Sequence, residues 1–450
     1  MGKYFGTDGV RAVAGQFPLT DDFIKKLGYC ALKELAPFAG KDRLKMQVVI
    51  ARDTRLSGPS ILQNLSAGIR AAGADVLDMG VAPTPAVAAA VKQSGSLCGV
   101  VISASHNPPE FNGIKFFSPR GTKLPEELED KIEAAIENLS SVPAPSGVYR
   151  AAPELVEGYK KFLMSTVDAE LLKGTKVVLD CANGAAYQIA PAVFRALGMD
   201  VTVMADSHDG ALINDGVGAL HTQSMQQLTR KEGAYVGFSF DGDADRVIAS
   251  DETGRQLDGE YIIAASALSL KKQGKLPLDK AVMTVMANLG CINYLKDAGV
   301  QVELTPVGDK YVAQTLEKLG LAVGGETSGH IIFPHYSNTG DGILSALQFL
   351  QFAKQSGQPV SAFAAKWEKY PCELRAVKVE QKPALDSLPG FWDGINALES
   401  QLGGKGRVFV RYSGTEPKLR ILVEGADAAL VRRTADAAEA LYRAKTEAKK

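Results

Sequence analysis

Apolar and polar positions along the chain follow a unit that recurs. Residues 47–51 form a short apolar run with the β-branched content of a buried strand. Over residues 60–72 apolar positions recur at helical spacing, Gly73 closes that run, and residues 74–78 read as a second strand. The same order returns at residues 176–180, 189–197, Gly198 and 201–204. It returns again at residues 281–285, a helix ending at Ala298, Gly299 and residues 300–304. A strand joined to a strand through a helix closed by a left-handed glycine builds parallel sheet with buried faces. Residues 126–139 form an acidic helix, and the serine- and proline-rich stretch 140–147 after it is a break.

The texture changes near Tyr370-Pro371. Residues 373–379 alternate, residues 407–411 and 419–423 flank a loop, and an alanine-rich helix follows over 426–445. The pattern predicts three similar α/β domains with mixed sheets, spanning residues 1–147, 148–252 and 253–369, and a C-terminal α+β domain over 370–450.

Length and composition agree with this plan. At roughly 150 residues per domain, 450 residues make about three domains, or four small ones. A hydrophobic fraction of 46% and a charged fraction of 22% are those of a globular protein, and a net charge of −1 with mixed signs excludes an electrostatic footprint for nucleic acid. No apolar run is long enough to span a membrane, and the first residues lack a signal-peptide core, so a cytoplasmic enzyme is expected. The five cysteines lie far apart without a C-x-x-C pair and read as buried small residues rather than a zinc site or disulfide frame.

Four segments carry candidate chemistry. In the first, the apolar run 99–102 breaks into Ser103-Ala104-Ser105-His106-Asn107-Pro108, then Asn112-Gly113-Ile114-Lys115. This delivers a serine, a histidine and a lysine to a loop at a strand end, where α/β enzymes keep their chemistry. In the second, Asp241-Gly242-Asp243-Ala244-Asp245-Arg246, alternate carboxylates can turn to one point, and hard oxygen ligands suit Mg²⁺. An EF-hand loop is the rival, but Arg246 stands where that loop needs glycine and a strand-like segment precedes it where a helix is required. The third, Gly324-Gly325-Glu326-Thr327-Ser328-Gly329-His330, follows an apolar strand at 321–323 and reads as a flexible turn. The fourth, Arg411-Tyr412-Ser413-Gly414-Thr415-Glu416-Pro417-Lys418-Leu419-Arg420, joins two strands and gathers arginines, hydroxyls and amides suited to a phosphate dianion.

Taken in order, the four segments resemble the phosphoserine, metal, sugar and phosphate loops of the α-D-phosphohexomutases. The resemblance implies four domains around a central active-site cleft, with Ser105 as nucleophile and phosphorylated residue, and Mg²⁺ on Asp241, Asp243, Asp245 and the Ser105 phosphate. It further implies Arg11 reaching the phosphoserine, His106 and Lys115 handling protons, and Ala244 at a variable position of little consequence. Arg246, Gly308, Glu326, Ser328 and His330 would contact the sugar, and Arg411, Ser413, Gly414, Thr415 and Arg420 the non-reacting phosphate. The opening Tyr4-Phe5-Gly6-Thr7-Asp8-Gly9-Val10-Arg11 and the segment Val307-Gly308-Asp309-Lys310-Tyr311-Val312 are similar to the bacterial branch that acts on glucosamine phosphate. That branch converts glucosamine 6-phosphate to glucosamine 1-phosphate through a glucosamine 1,6-bisphosphate, feeding UDP-N-acetylglucosamine and cell-wall synthesis. A glucose or mannose phosphate mutase of the same family is the near alternative and a Mg²⁺-dependent phosphatase the distant one. A homodimer is compatible with the sequence, which does not set the oligomeric state.

Overall fold

The computed structural model describes residues 2–6, 8–42, 44–413 and 417–447. The chain divides into two compact units, one of residues 1–286 and 302–364 and the other of residues 287–301 and 365–450.

The first unit holds three sheets. In the first, strands β1 (Val10–Val13), β2 (Lys45–Arg52), β3 (Asp75–Val81), β4 (Ser96–Ile102), β5 (Phe111–Phe117) and β6 (Tyr149–Ala151) lie in the order β1-β5-β4-β2-β3-β6. The β4–β2–β3–β6 portion is parallel, and β5 runs antiparallel to both β4 and β1. Its last strand comes from beyond the break expected at residue 147. Val48, Ile50, Val100 and Ile102 on one face pack with Leu27, Leu65 and Ile69 from helices Asp21–Asp42 and Gly58–Ala71, all shielded from solvent. These contiguous apolar strands are the runs read from the sequence, buried because helices cover the sheet.

The second sheet contains β7 (Lys176–Asp180), β8 (Asp200–Met204), β9 (Val236–Phe240), β10 (Val247–Asp251) and β11 (Gln256–Leu257), ordered β11-β10-β9-β7-β8. Its β9–β7–β8 part is parallel, while β9 and β10 pair antiparallel, with residues 241–246 between them. The third sheet contains β12 (Lys280–Thr284), β13 (Gln301–Thr305), β14 (Gly324–Gly325) and β15 (Ile331–Ile332), ordered β13-β12-β14-β15. Here the structure departs from the sequence-based expectation. Residues 321–323 are not the strand, and Gly324-Gly325 are not the turn: the two glycines are themselves the strand, paired with Val282 and Met283 on one side and with Ile331 and Ile332 on the other. Ladder pairing on both sides overrides the weak strand preference of glycine.

The second unit is a three-stranded antiparallel sheet of β16 (Cys372–Lys378), β17 (Gly406–Tyr412) and β18 (Lys418–Gly425), ordered β16-β18-β17. Helices Phe391–Ser400 and Ala428–Glu447 cover one face, where Phe391, Val410, Ile421, Val423 and Tyr442 are buried together. Helix Leu289–Asp297, expected to serve the third repeat, belongs to this unit. Its N-cap Asn288 accepts from Tyr370 N at 2.9 Å and donates to Tyr370 O at 3.0 Å. One cysteine departs from expectation: Cys372 is exposed, because it opens an edge strand whose residues mostly face solvent, whereas Cys30, Cys98, Cys181 and Cys291 are buried. Among the described residues, no helix is long and apolar enough to cross a membrane.

Candidate active site

Ser105 follows β4 at the point where the ladder ends, and its backbone is left-handed, with φ 54°. A non-glycine residue held there costs of order 1–3 kcal/mol, so surrounding contacts must impose it. Several do. Ser105 N donates to Ser103 Oγ at 2.9 Å, and Ser103 Oγ donates to the buried Asp53 at 2.6 Å. Oγ of Ser105 is left facing the β9–β10 loop, where it donates to Asp241 Oδ2 at 2.6 Å, with His106 Nδ1 at 3.2 Å.

The β9–β10 loop turns its carboxylates inward. Asp241, Asp243 and Asp245 are all buried, and one oxygen of each lies within 4.8 Å of the others. The loop turns at Ala244, whose backbone is left-handed (φ 55°) and whose side chain is fully buried. Position 244 is therefore sterically restricted, contrary to the expectation that it matters little. Burial and the neighbouring charges of Asp245 and Asp243 push the Asp241 carboxyl well above the usual range. Asp243 Oδ1 and Asp245 Oδ1 are buried and accept no hydrogen bond. Three convergent carboxylates with unsatisfied oxygens and mutual repulsion are a donor set that fits a hard divalent cation.

Lys115, on β5, is the internal counter-charge. Its Nζ lies 2.8 Å from Asp243 Oδ2, 2.9 Å from Asp8 Oδ2 and 3.8 Å from Asp245 Oδ2. Burial opposes its charge, but Asp243, Asp8 and Asp245 outweigh burial and raise its pKa, so it is a buried ammonium. Arg11, on β1, pairs with Asp8, as does Lys123 at 2.7 Å; Lys123 also reaches Asp309 at 2.7 Å. Thr84, which no sequence motif marks, donates to Asp243 Oδ2 at 2.6 Å. Burial, then the nearby Arg246 and Arg11 guanidiniums, push His106 down to about 4, which leaves its imidazole neutral at physiological pH.

The third expected loop joins the same cluster through His330 and Arg246. His330 is buried, with Nδ1 3.6 Å from Asp245 and Nε2 accepting from Gly340 N at 3.1 Å. Arg246 and His330 form an isolated antiparallel bridge, and Arg246 Nε stands 3.7 Å from Asp245, so Arg246 is not a solvent-facing arginine. Glu326 Oε1 accepts from Gly308 N at 3.2 Å, joining two positions expected to meet the sugar. Ser328, in the turn between β14 and β15, is half-buried. Thr327, to which the sequence assigns no role, donates to Glu260 at 2.6 Å and so ties the loop to helix Gly259–Lys272.

Residues with no motif of their own complete the serine loop. Arg55 is fully buried and Asn214 partly so, and both donate to the carbonyls of Ser105 and Asn107. The surfaces meet without room for side chains: a Cβ at Gly242 would collide with the Ser105 carbonyl oxygen, and one at Gly210 with the Thr54 carbonyl oxygen. Asp53-Thr54-Arg55 after a predicted strand was the available signal, but nothing in the sequence links it to residue 105.

In the second unit, Arg411 and Arg420 are direct cross-strand partners on β17 and β18. Burial, then the charge of Arg420, lowers the Arg411 pKa. Like charges set opposite each other in a ladder repel, which an anion would relieve. Ser413 N donates to Lys418 O at 2.8 Å, and Lys382 Nζ donates to Ser413 O at 2.6 Å. Gly414 and Thr415 lie outside the described residues.

This plan matches known families in chain order. "Phosphoglucomutase/phosphomannomutase, alpha/beta/alpha domain I" matches residues 2–142, domain II residues 156–254, domain III residues 258–370 and the C-terminal domain residues 374–441. The fold is shared with a solved phosphoglucomutase/phosphomannomutase family protein of Burkholderia thailandensis, with TM-score 0.82 at 23% identity, covering 98% of this chain and 97% of that one. It is shared also with the Aspergillus fumigatus N-acetylphosphoglucosamine mutase solved in complex with GlcNAc-6P and magnesium, with TM-score 0.64 at 22% identity, covering 89% and 85%. Fold and domain order thus define a four-domain phosphohexomutase, an isomerase.

Among curated relatives, a phosphoglucosamine mutase of Desulforudis audaxviator is 44% identical over 452 residues, covering 99% of this chain and 98% of that protein. One of Clostridioides difficile is 44% identical over 432 residues, covering 94% and 95%. The chain belongs to the phosphoglucosamine mutase family.

Proposed function

We propose that the chain interconverts glucosamine 6-phosphate and glucosamine 1-phosphate through a phosphoserine at Ser105 and a 1,6-bisphosphate intermediate, supplying UDP-N-acetylglucosamine for cell-wall synthesis. The observation that carries the reading is the left-handed Ser105, whose Oγ lies 2.6 Å from a buried carboxylate of the Asp241, Asp243 and Asp245 cluster.

Phospho-Ser105 gives its phosphoryl group to O1 of the sugar: the Oγ–P bond breaks, an O1–P bond forms and the O1 proton leaves to a base. After the bisphosphate turns, Ser105 Oγ takes the phosphoryl group from O6 and O6 regains a proton. Two in-line transfers of the same kind replace one direct migration. His106, a neutral imidazole 3.2 Å from Oγ, can accept a proton. Lys115, held as an ammonium, assists proton transfer by hydrogen bonding and would balance charge on the phosphoryl oxygens. Asp241, Asp243 and Asp245 would hold Mg²⁺, the metal named with the Aspergillus enzyme. Such an ion would offset the carboxylates' charge and polarise the phosphoryl group. Gly308, Glu326, Ser328, His330 and Arg246 contact the sugar, and Arg11 supports the phosphoserine. Arg411, Ser413, Gly414, Thr415 and Arg420 hold the phosphate that is not reacting. The protein works on small phosphosugars in the cytoplasm.

A coupled assay with glucosamine, glucose and mannose phosphates, read with intact mass, tests this. Glucosamine phosphate is expected to give the highest kcat/KM, with one phosphate on Ser105. Equal turnover of glucose or mannose phosphate would overturn the substrate, and stoichiometric release of inorganic phosphate would overturn the mutase reaction.

A further inference from the structure

Arg55 carries no chemistry in any motif, yet its guanidinium is used in full on the serine loop. Nε donates to Asp53 Oδ2 at 2.9 Å. Nη2 donates to the carbonyls of Ser105 at 3.0 Å and Asn107 at 2.7 Å, and Nη1 to Phe111 O at 2.9 Å and to Pro108 O. From the second sheet's side of the seam, Asn214 Nδ2 donates to the same two carbonyls, Ser105 O at 2.9 Å and Asn107 O at 3.1 Å. Asn214 is itself left-handed, with φ 60°. The two side chains, one following β2 and the other following β8, therefore hold the same stretch of main chain.

Buried arginines normally spend their charge on carboxylates or phosphates. Here one carboxylate, Asp53, balances the charge, and the planar fork is directed at four neutral carbonyls. A lysine keeps the charge but offers a single point of donation, so it cannot span those acceptors. We propose that Arg55 and Asn214 are positioning residues for phosphoryl transfer, clamping the Ser105–Asn107 main chain so that Ser105 keeps its left-handed backbone and its Oγ stays aimed at the aspartate cluster. The proposal rests on the reading of Ser105 as the phosphoryl carrier. Arg55 spends all its donors on Asp53 and the serine loop, and Asn214 donates to the same main chain, so their loss acts on the transfer step and not on substrate capture.

The test uses the full-length protein with Mg²⁺ and three variants: Arg55→Lys, Asn214→Ala and the two combined. Folded fraction is read by near-ultraviolet circular dichroism and phosphate on Ser105 by intact mass. Then kcat and KM are expressed per folded, phosphorylated molecule. Each single variant is expected to lower kcat about tenfold or more, with KM within about twofold, as small misplacements of a reacting group do. The double variant is expected to lose less than the product of the two, because both side chains hold the same carbonyls. A role in stability alone would leave kcat per folded, phosphorylated molecule at the wild-type value, and that result overturns the proposal. If Arg55→Lys fails to fold, Asn214→Ala, at a partly buried site, decides between the two outcomes by the same measurement. Wild-type protein lacking turnover and phosphate on Ser105 would instead overturn the reading of the site itself.

Discussion

The serine centre and the Arg411 hairpin both carry charge, but they dispose of it in opposite ways. Around Ser105, opposite charges are already interleaved: Lys115 meets Asp243, Asp8 and Asp245, and Lys123 meets Asp8 and Asp309. Three buried carboxylates, Asp241, Asp243 and Asp245, converge there. On the hairpin, two arginines of the same sign are set directly opposite each other. In the first arrangement the buried charges are already paired with one another, which suits the proposed storage of a covalently held group. The second sets like charges side by side, which favours an anion, and suits the binding and release that the proposed cycle requires. Under the proposed function, the first region would keep a phosphoryl group and the second would hold a phosphate briefly.

The sharpest break of this contrast is Ser105→Ala. It is expected to cost about four orders of magnitude or more in mutase rate and to remove the phosphate seen by intact mass, because a covalent nucleophile has no substitute. Near-normal turnover would mean that storage is not at this serine. Next comes the cation. Asp243→Asn is expected to lower kcat about a hundredfold or more, chelation to abolish activity and Mg²⁺ to restore it, measured with the folded fraction held constant. Full activity with Ca²⁺ alone would sink the magnesium assignment, since its looser coordination suits this transfer poorly.

The hairpin should fail differently. Arg411→Ala removes charge-assisted contacts of roughly 1.5–3 kcal/mol, which at 1.4 kcal/mol per decade raises KM about ten- to a hundredfold. Escape of the bisphosphate should rise with it, and added glucosamine 1,6-bisphosphate should restore the dephosphorylated enzyme. If kcat fell while KM stayed put, the hairpin would belong with storage and not with capture. The smallest effect is Ser103→Ala. Its hydroxyl bridges Asp53 and Ser105 N, so its loss should lower kcat about tenfold or less and reduce Tm by a few degrees. A loss as large as that of Ser105→Ala would show that the two serines share the chemistry.

What could be read from the sequence was whatever lies contiguous along it. Ser105 with His106, and the alternating Asp241, Asp243 and Asp245, declare themselves because their partners in the motif are neighbours in the chain. The repeated strand–helix–strand units were legible for the same reason, through apolar runs and closing glycines. Arg55, Asn214 and Thr84 were not, since they reach the site only once the first two sheets have formed, and none has a local pattern that distinguishes it from an ordinary polar residue. Gly324-Gly325 misled because glycine pairs read as turns, and the ladder that makes them a strand is supplied by β12 and β15, far away in sequence. Ala244, read as the variable position of the metal loop, is seen only in the structure to be buried with a left-handed backbone.

The seam at Gly210 and Gly242 bears on how such a protein can be recombined. Backbone meets backbone there, with the Thr54 and Ser105 carbonyl oxygens standing where side chains would otherwise project. The segment with the serine and the segment with the aspartates are thus cut to a common outline. A chimera joined between them inherits a working centre only if both parents supply glycine at these two positions and the same main-chain path through residues 53–55 and 105–107. The second unit takes in residues 287–301 as well as 365–450, with Asn288 hydrogen-bonded to Tyr370, so exchanging that unit between relatives must carry both segments together.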